Sequence, residues 1–220
     1  MLHTEMKQAP VSDPFAAARH RMVERQLRAR GISDERVLQA MERVPRHDFV
    51  EPSFRDEAYE DHPLPIACGQ TISQPYIVAI TLHALSLRPE HTVLEVGAGL
   101  GYQTALLAEL CAHVYSIERH DLLVVRAQAI LSRLGYSNVI VVTGDGSRGL
   151  AAHAPFDAIA VSAATPQLPS ALLDQLKEGG RMVIPVGPPE VQELQRVERR
   201  QGRAIVTHLE GCRFVPLVSP

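Results

Sequence analysis

The chain has 220 residues, which fits one domain, and its 45% hydrophobic and 21% charged residues exclude wholesale disorder. Its 22 basic and 25 acidic side chains give a net charge of −3, and it has no Trp and only five Tyr and five Phe. With no basic excess and few rings to stack on bases, the composition argues against nucleic acid as the main partner.

Cysteine usage and hydropathy indicate the compartment. Cys68, Cys111 and Cys212 are widely spaced and form no C-x-x-C pair, which favours a reducing compartment over a disulfide scaffold or a zinc site. The N-terminus carries acids and prolines instead of an apolar run, so we expect no signal peptide. The longest stretch without Asp, Glu, Lys or Arg, residues 62–87, is broken by three prolines and cannot span a bilayer. We expect a cytoplasmic protein with no membrane partner.

The N-terminal third is predicted to be helical. Residues 1–14 are predicted to be a flexible tail, and residues 15–75 an N-terminal helical and substrate-side segment. Within that segment, one amphipathic helix is predicted over residues 15–30 and ends at Gly31. A second helix is predicted with Ser33 as its N-cap. The remainder is polar and proline-rich and has no clear periodicity.

From residue 76 onward, strands alternate with helices across short loops. This alternation predicts a doubly wound, Rossmann-like α/β sheet that is mostly parallel, and Gln201-Gly202 predicts an antiparallel C-terminal hairpin. We therefore expect a single domain over residues 1–220 with an α/β core at 76–220, and Gly179-Gly180 as the stop of its last helix. The predicted core strands are 92–96, 113–117, 139–142, 157–162 and 182–186, the helices 102–110, 121–134 and 170–177, and the hairpin strands 193–199 and 204–209.

The sharpest motif is the strand-to-helix turn at residues 93–102, VLEVGAGLGY. Gly97, Gly99 and Gly101 permit positive φ and close approach of the backbone to a ligand. The spacing G-x-G-x-G differs from the G-x-G-x-x-G of dinucleotide sites, and no Lys-Ser/Thr follows as in a P-loop. Preceded by Glu95, this turn is typical of S-adenosylmethionine (SAM) sites in class I methyltransferases. The alternative is a glycine turn that serves only helix–strand packing.

Two acidic residues follow the next two strands. Glu118 ends the second strand, where a carboxylate can accept both ribose hydroxyls; the alternative is a solvated acid at the start of a helix. Asp145, in Gly144-Asp145-Gly146, can accept from an adenine amino group while Gly146 lets the base approach the backbone; the alternative is a turn or cap aspartate. Because the carboxyl ends of parallel strands meet at one edge, these residues predict one crevice that binds SAM.

A second stretch, Gly69-Gln-Thr-Ile-Ser-Gln-Pro-Tyr76, is far more specific than the glycine turn. Other informative stretches are Val44-Pro-Arg46, Phe49-Val50, Tyr59-Glu-Asp61, Pro63-Leu-Pro-Ile66, Ile117-Glu118, residues 134–139, residues 154–157, residues 176–187, Gln192 and Phe214-Val-Pro-Leu217. On these residues, the chain resembles the protein-L-isoaspartate O-methyltransferases over about residue 20 to residue 218.

The resemblance implies methyl transfer from SAM to the free α-carboxylate of L-isoaspartyl, and some D-aspartyl, residues in damaged proteins, with repair through a succinimide. A carboxylate with a pKa of about 4 is already the nucleophile at neutral pH, so neither a general base nor a metal is expected. The resemblance also implies Ser73 as the catalytic serine, Gln70 and Thr71 on the SAM side, and Gln192 in the cofactor set. The alternative for Ser73 is to cap the helix that begins at Gln74-Pro75.

Three residues depart from the usual pattern of that family. Leu100 in the glycine turn bears on SAM affinity, whereas Cys68 and Leu150 bear on the peptide groove. Two other functions stay open: a SAM-dependent carboxyl methyltransferase of another acceptor, and a SAM-binding domain without turnover, against which residues 70–73 argue. The glycine spacing disfavours an NAD-dependent dehydrogenase. We expect a monomer whose partners are isoaspartyl-containing proteins and peptides.

Overall fold

A seven-stranded sheet lies at the centre of the computed structural model, which describes residues 13–218. The strands are β1 (Leu64–Pro65), β2 (Thr71–Ile72), β3 (Thr92–Val96), β4 (His113–Glu118), β5 (Val139–Thr143), β6 (Phe156–Val161), β7 (Leu176–Val186), β8 (Gln192–Arg200) and β9 (Arg203–Cys212). β1 and β2 pair with each other, and the other seven follow the order β5-β4-β3-β6-β7-β8-β9. The pairs are parallel from β5 to β7 and antiparallel from β7 to β9, which confirms the predicted fold class and its hairpin.

Helices cover both faces of this sheet, as hydrophobic parallel strands require. The helices are α1 (Ala16–Arg21), α2 (Glu35–Arg43), α3 (Pro75–Leu85), α4 (Tyr102–Leu110), α5 (Asp121–Arg133) and α6 (Ser170–Asp174). Successive residues of β3 point to opposite faces, so Val93 joins one buried apolar cluster and Leu94 the other. The larger cluster runs from Met22 to Leu194 and joins the N-terminal helices to the sheet. Within the described residues, no helix is long and apolar enough to cross a membrane.

The first predicted helix is divided into three segments. α1 continues as a π-helical segment, Met22–Leu27, and a 3-10 turn, Arg28–Arg30. Gly31 ends this run with a φ of 93°, which confirms the predicted stop. Of the predicted flexible tail, residues 1–12 lie outside the described part of the chain.

The predicted cap of the second helix is wrong by one residue. Asp34, not Ser33, is the N-cap of α2, because its carboxylate accepts hydrogen bonds from the backbone N–H groups of Arg36 and Val37. Ser and Asp are similarly good caps, so local preference alone does not separate two adjacent candidates.

The predicted helix over residues 170–177 is wrong in its last part. α6 ends at Asp174, and Gly179-Gly180 lies inside β7 instead of ending a helix. Residues 177–180 form a bulge against β6. Gly179 has a φ of 76°, and a Cβ at Gly180 would lie 2.9 Å from the Lys177 carbonyl oxygen, so the bulge needs both glycines.

Candidate functional site

A cavity of about 310 Å³ opens at the carboxyl ends of β3, β4 and β6, the edge at which open α/β sheets bind ligands. Its wall combines the glycine turn after β3 with residues 70–74 and residues 211–218. The structure brings most of the predicted site residues to this wall: Gln70, Thr71, Ser73, Gly97, Gly99, Glu118 and Gly146. Gly101, Asp145 and Gln192 lie outside the lining.

The glycine turn combines a ligand-facing part and a packing part. Gly97, Gly99 and Gly101 have φ values of 93°, 56° and 94°, which side chains rarely adopt. Gly97 and Gly99 line the cavity. A Cβ at Gly101 would lie 3.2 Å from Cδ1 of Leu131 on α5, so the packing alternative holds for this third glycine.

Glu118 is buried at the end of β4, only 6% exposed, so it is not the solvated acid of the alternative interpretation. Its Oε2 accepts from the Gly99 N–H at 3.1 Å, and its Oε1 from the His120 N–H at 3.1 Å. Each carboxylate oxygen keeps a further lone pair. Two backbone N–H groups therefore hold the carboxylate in place while it can still accept from two ligand hydroxyls.

Asp145 shows the cap role that the sequence left open. Its Oδ1 accepts from the Ser147 N–H at 2.9 Å, at the start of the 3-10 turn Gly146–Arg148. Its Oδ2 is buried and lies 3.2 Å from Arg148 Nε, without a hydrogen bond directed at it. Gly146 does line the cavity, and a Cβ there would lie 2.4 Å from Val96 Cγ1. Only glycine brings the backbone this close to the cavity floor.

Gln192 lies behind the wall of the cavity. Its side chain is 1% exposed, its Nε2 donates to the Pro188 carbonyl at 2.6 Å, and its Oε1 accepts from the Phe214 N–H at 2.9 Å. Both polar ends are thus bonded to backbone groups. The structure places this predicted cofactor residue where it holds the lining residue Phe214 instead of facing the cavity.

Ser73 lies between β2 and α3 and does not cap that helix. The N-cap position is Gln74, and no N-cap side-chain hydrogen bond is formed there. Within residues 13–218, the Ser73 hydroxyl has no hydrogen-bond partner in the protein. Ser73 lines the cavity, and its hydroxyl is not used to cap the helix.

Among the polar residues of the wall that were not predicted from the sequence are Gln103 and Ser162. They belong to a network around Glu95, which is fully buried beneath the turn and accepts from the Ser116 hydroxyl at 2.6 Å and from Thr104. Gln103 Nε2 donates to both Glu95 and Ser162, each at 3.1 Å. A signal existed for Ser162, because it directly follows β6 at the same edge of the sheet as Glu118.

Burial raises the pKa of Glu95 from 4.5 to about 7. A carboxyl whose pKa is higher in the folded state stabilises the fold below pH 4.5, and that stability is lost as pH rises towards 7. We expect Glu95→Gln to remove this loss, up to about 3 kcal/mol. Gln can keep all the contacts, since the Ser116 and Thr104 hydroxyls also accept hydrogen bonds. Urea unfolding at pH 5 and pH 8 measures the effect, and parallel pH profiles for the two proteins would contradict it.

Among the described residues, the cavity wall contains no histidine, and its charged residues are Glu118, Arg119 and Arg213. Across residues 13–218, no group of three His, Cys, Asp or Glu side chains is arranged to hold a metal. Of the three departures from the family pattern, Leu100 lines the cavity, whereas Cys68 and Leu150 do not.

The described residues fit the predicted cofactor. The turn at Gly97 and Gly99 and the backbone at Gly146 border the cavity without side chains, and the buried Glu118 carboxylate faces it with unused acceptor capacity. A nucleoside with two ribose hydroxyls and an aliphatic tail matches this combination of backbone surfaces and one fixed carboxylate.

Comparisons with known proteins point to one family. The family model described as Protein-L-isoaspartate(D-aspartate) O-methyltransferase matches residues 18–220. The protein-L-isoaspartate O-methyltransferase of Koribacter versatilis is 56% identical over 214 residues, 97% of this chain and 96% of the relative. That of Methanoculleus marisnigri is 53% identical over 208 residues, 94% of each chain. A Plasmodium falciparum structure described as a protein-L-isoaspartate O-methyltransferase in complex with S-adenosyl-L-homocysteine has a TM-score of 0.80 at 28% identity. The match covers 91% of this chain and 98% of the Plasmodium chain.

Proposed function

This chain belongs to the protein-L-isoaspartate O-methyltransferase family, and from that membership we propose how its cavity residues divide the reaction. The enzyme transfers a methyl group from SAM to the free α-carboxyl of L-isoaspartyl residues in damaged proteins, which initiates their repair through a succinimide. One observation carries the proposed division: Ser73 and Glu118 line the same cavity together with Gly97 and Gly99 of the glycine turn.

The cofactor side consists of the glycine turn, Glu118 and the residues that precede Ser73. When bound, SAM supplies a methyl group activated by its sulfonium. Glu118 accepts from the ribose hydroxyls, and its two backbone hydrogen bonds fix the direction of those acceptors. Gly97, Gly99 and Gly146 allow close backbone approach, and Gln70 and Thr71 complete this side.

On the acceptor side, Ser73 orients the substrate. Its hydroxyl donates a hydrogen bond to one oxygen of the isoaspartyl α-carboxylate and directs the other oxygen at the methyl group. A hydroxyl is a suitable donor because it is neutral at working pH and adds little competing nucleophilicity. The carboxylate is already anionic, so alignment of the reacting atoms is the main contribution of the protein.

Three predicted cofactor residues act on the site indirectly. Gln192 holds the wall segment at Phe214, Gly101 lets α4 begin against α5, and Asp145 fixes the turn that presents Gly146. The shared core cluster supports one structural unit for the segments 15–75 and 76–220.

The proposal extends to the setting in which the enzyme works. We propose a monomer, and we propose the cytoplasm as its compartment because Cys68, Cys111 and Cys212 are unpaired thiols, as a reducing compartment favours. Light scattering of the purified protein measures its molecular mass in solution and so tests whether it is a monomer.

The direct test uses two peptides that differ only in isoaspartate against aspartate, together with methyl-labelled SAM. We expect base-labile label on the isoaspartyl peptide alone, because a carboxyl methyl ester hydrolyses in base. The aspartyl peptide is the matched control. Label on neither peptide while S-adenosylhomocysteine still binds would contradict the acceptor and favour a SAM-binding domain without turnover. Label on both peptides would favour a carboxyl methyltransferase of broader specificity.

A further inference from the structure

Asp61 lies outside the cavity lining but holds the segment that carries Ser73. Its Oδ2 accepts from Gln74 Nε2 at 2.8 Å, and its Oδ1 accepts from the Tyr76 N–H at 3.0 Å. Tyr76 lies in the first turn of α3, where the N-cap residue makes no side-chain hydrogen bond. One carboxylate from a distant loop therefore fixes the residue after Ser73 and satisfies a backbone donor at the start of the helix.

Arg30 holds Asp61 from the other side. Its Nη1 lies 2.7 Å from Asp61 Oδ2, and its guanidinium stacks 3.3 Å from the centre of the Tyr76 ring. Arg30 ends the N-terminal helical run at Gly31, so the anchor ties three separate parts of the chain together. The buried Arg46 is nearby: burial lowers its pKa to about 10, and the negative charge of Asp61 is among the groups that oppose this shift.

The same short segment holds Ser73 from its N-terminal side. β1 begins three residues after Asp61 and pairs with β2, which ends directly before Ser73. The Ser73 hydroxyl itself has no partner within the described chain, so its direction depends on the backbone. That backbone is fixed before Ser73 by strand pairing and after it by Asp61.

We propose that Asp61, supported by Arg30, is a positioning residue for methyl transfer that sets the direction of the Ser73 hydroxyl through Gln74 and the first turn of α3. This inference rests on the proposed role of Ser73. Loss of the anchor lets the Ser73 segment adopt other conformations, and a displacement of about 1 Å at a reacting group can cost up to about 100-fold in rate. Among the described residues, the hydrogen bonds of Asp61 go to Arg30, Gln74 and Tyr76 and not to Glu118 or the glycine turn, and Gln70 and Thr71 stay held by the pairing of β1 with β2, so we expect cofactor binding to be kept.

The test compares Asp61→Asn with a matched control, Asp157→Asn. Asp157 also accepts from one cation, Lys177 at 2.7 Å, and one backbone N–H, that of Thr92 at 2.8 Å. The two carboxylates are similarly exposed, 21% for Asp61 and 20% for Asp157. Asp157 lies at the amino ends of the strands, away from the cavity, so the pair separates loss of an anchor at the site from loss of an equivalent anchor elsewhere.

We expect Asp61→Asn to lower kcat about tenfold on an isoaspartyl peptide and to leave the dissociation constant for S-adenosylhomocysteine unchanged. Asp157→Asn is expected to keep kcat within about twofold of the unchanged enzyme, even if it lowers Tm by as much as Asp61→Asn does. Arg30→Gln changes a partly exposed residue and is expected to lower kcat by a smaller factor than Asp61→Asn. It replaces Asp61→Asn in the test if that variant does not fold. Equal kcat for the Asp61, Arg30 and Asp157 variants would overturn the inference.

A double variant separates this inference from the role of Ser73. If Asp61 acts through Ser73, adding Asp61→Asn to Ser73→Ala lowers kcat by much less than tenfold, because the hydroxyl to be positioned is already gone. A full additional tenfold loss would overturn positioning through Ser73. If Ser73→Ala alone keeps full kcat, the proposed role of Ser73 fails, independently of the comparison between Asp61 and Asp157.

Discussion

Replacement of Ser73 by alanine is expected to lower kcat about 100-fold, because the acceptor carboxylate loses the hydrogen bond that aligns it and a misplacement of about 1 Å can cost that much in rate. The hydroxyl lines the cavity and is not engaged by any hydrogen bond within the described chain, so it is available to the substrate. The carboxylate stays anionic in the variant but loses its orientation. Steady-state kinetics on an isoaspartyl peptide measure the loss, and calorimetry with S-adenosylhomocysteine checks that the cofactor site is intact.

Ser73→Thr is the control for this change. Threonine keeps a hydroxyl on Cβ and adds one methyl group, so we expect it to retain more kcat than alanine. If the alanine variant turned over isoaspartyl peptide at the rate of the unchanged enzyme, Ser73 would have no part in catalysis. If alanine instead weakened cofactor binding by as much as it lowered kcat, Ser73 would belong to the cofactor side.

Glu118→Ala is expected to weaken S-adenosylhomocysteine binding by at least about 100-fold, because two hydrogen bonds to a charged group are lost and each contributes about 1.5–3 kcal/mol. The variant loses the ribose acceptors, and it leaves the Gly99 and His120 N–H groups without the carboxylate that fixes them. Isothermal calorimetry measures the dissociation constant. At saturating SAM, kcat should recover much of its value, since Glu118 contacts neither the acceptor carboxylate nor Ser73.

Two further variants make this prediction specific. Glu118→Gln keeps one carbonyl acceptor and should bind more tightly than the alanine variant. Glu51→Ala removes a carboxylate that pairs with Arg126 at 2.6 Å and does not line the cavity, so it should leave the dissociation constant unchanged. A Glu118→Ala protein that binds S-adenosylhomocysteine as the unchanged enzyme does would remove Glu118 from the cofactor site.

Local sequence patterns determined the architecture. The alternation of strands and helices and the Gln201-Gly202 turn predicted the sheet and its hairpin, and both are present. Such patterns succeed because buried strands and helix stops depend on hydrophobic period and on glycine, which are properties of a few adjacent residues. The pattern was insufficient at Gly179-Gly180, where a glycine pair suits a bulge in a strand as well as the end of a helix.

Motifs also predicted which residues gather at the site, since strand ends meet at one edge of a parallel sheet. Ser73, Glu118, Gly97 and Gly99 do line one cavity. The motif could not show that Gln192 turns its amide towards the backbone of Pro188 and Phe214, because that orientation depends on residues up to 22 positions away.

The sequence by itself thus determined the fold class, the family and the edge of the sheet that carries the chemistry. Only the tertiary structure decided which side chains face the cavity and what holds them. Asp61 shows the difference: its partners lie 13, 15 and 31 residues away, and nothing in its own neighbourhood indicates them. Contacts between segments far apart in the chain form only when the core brings those segments together, so no local period or spacing encodes them.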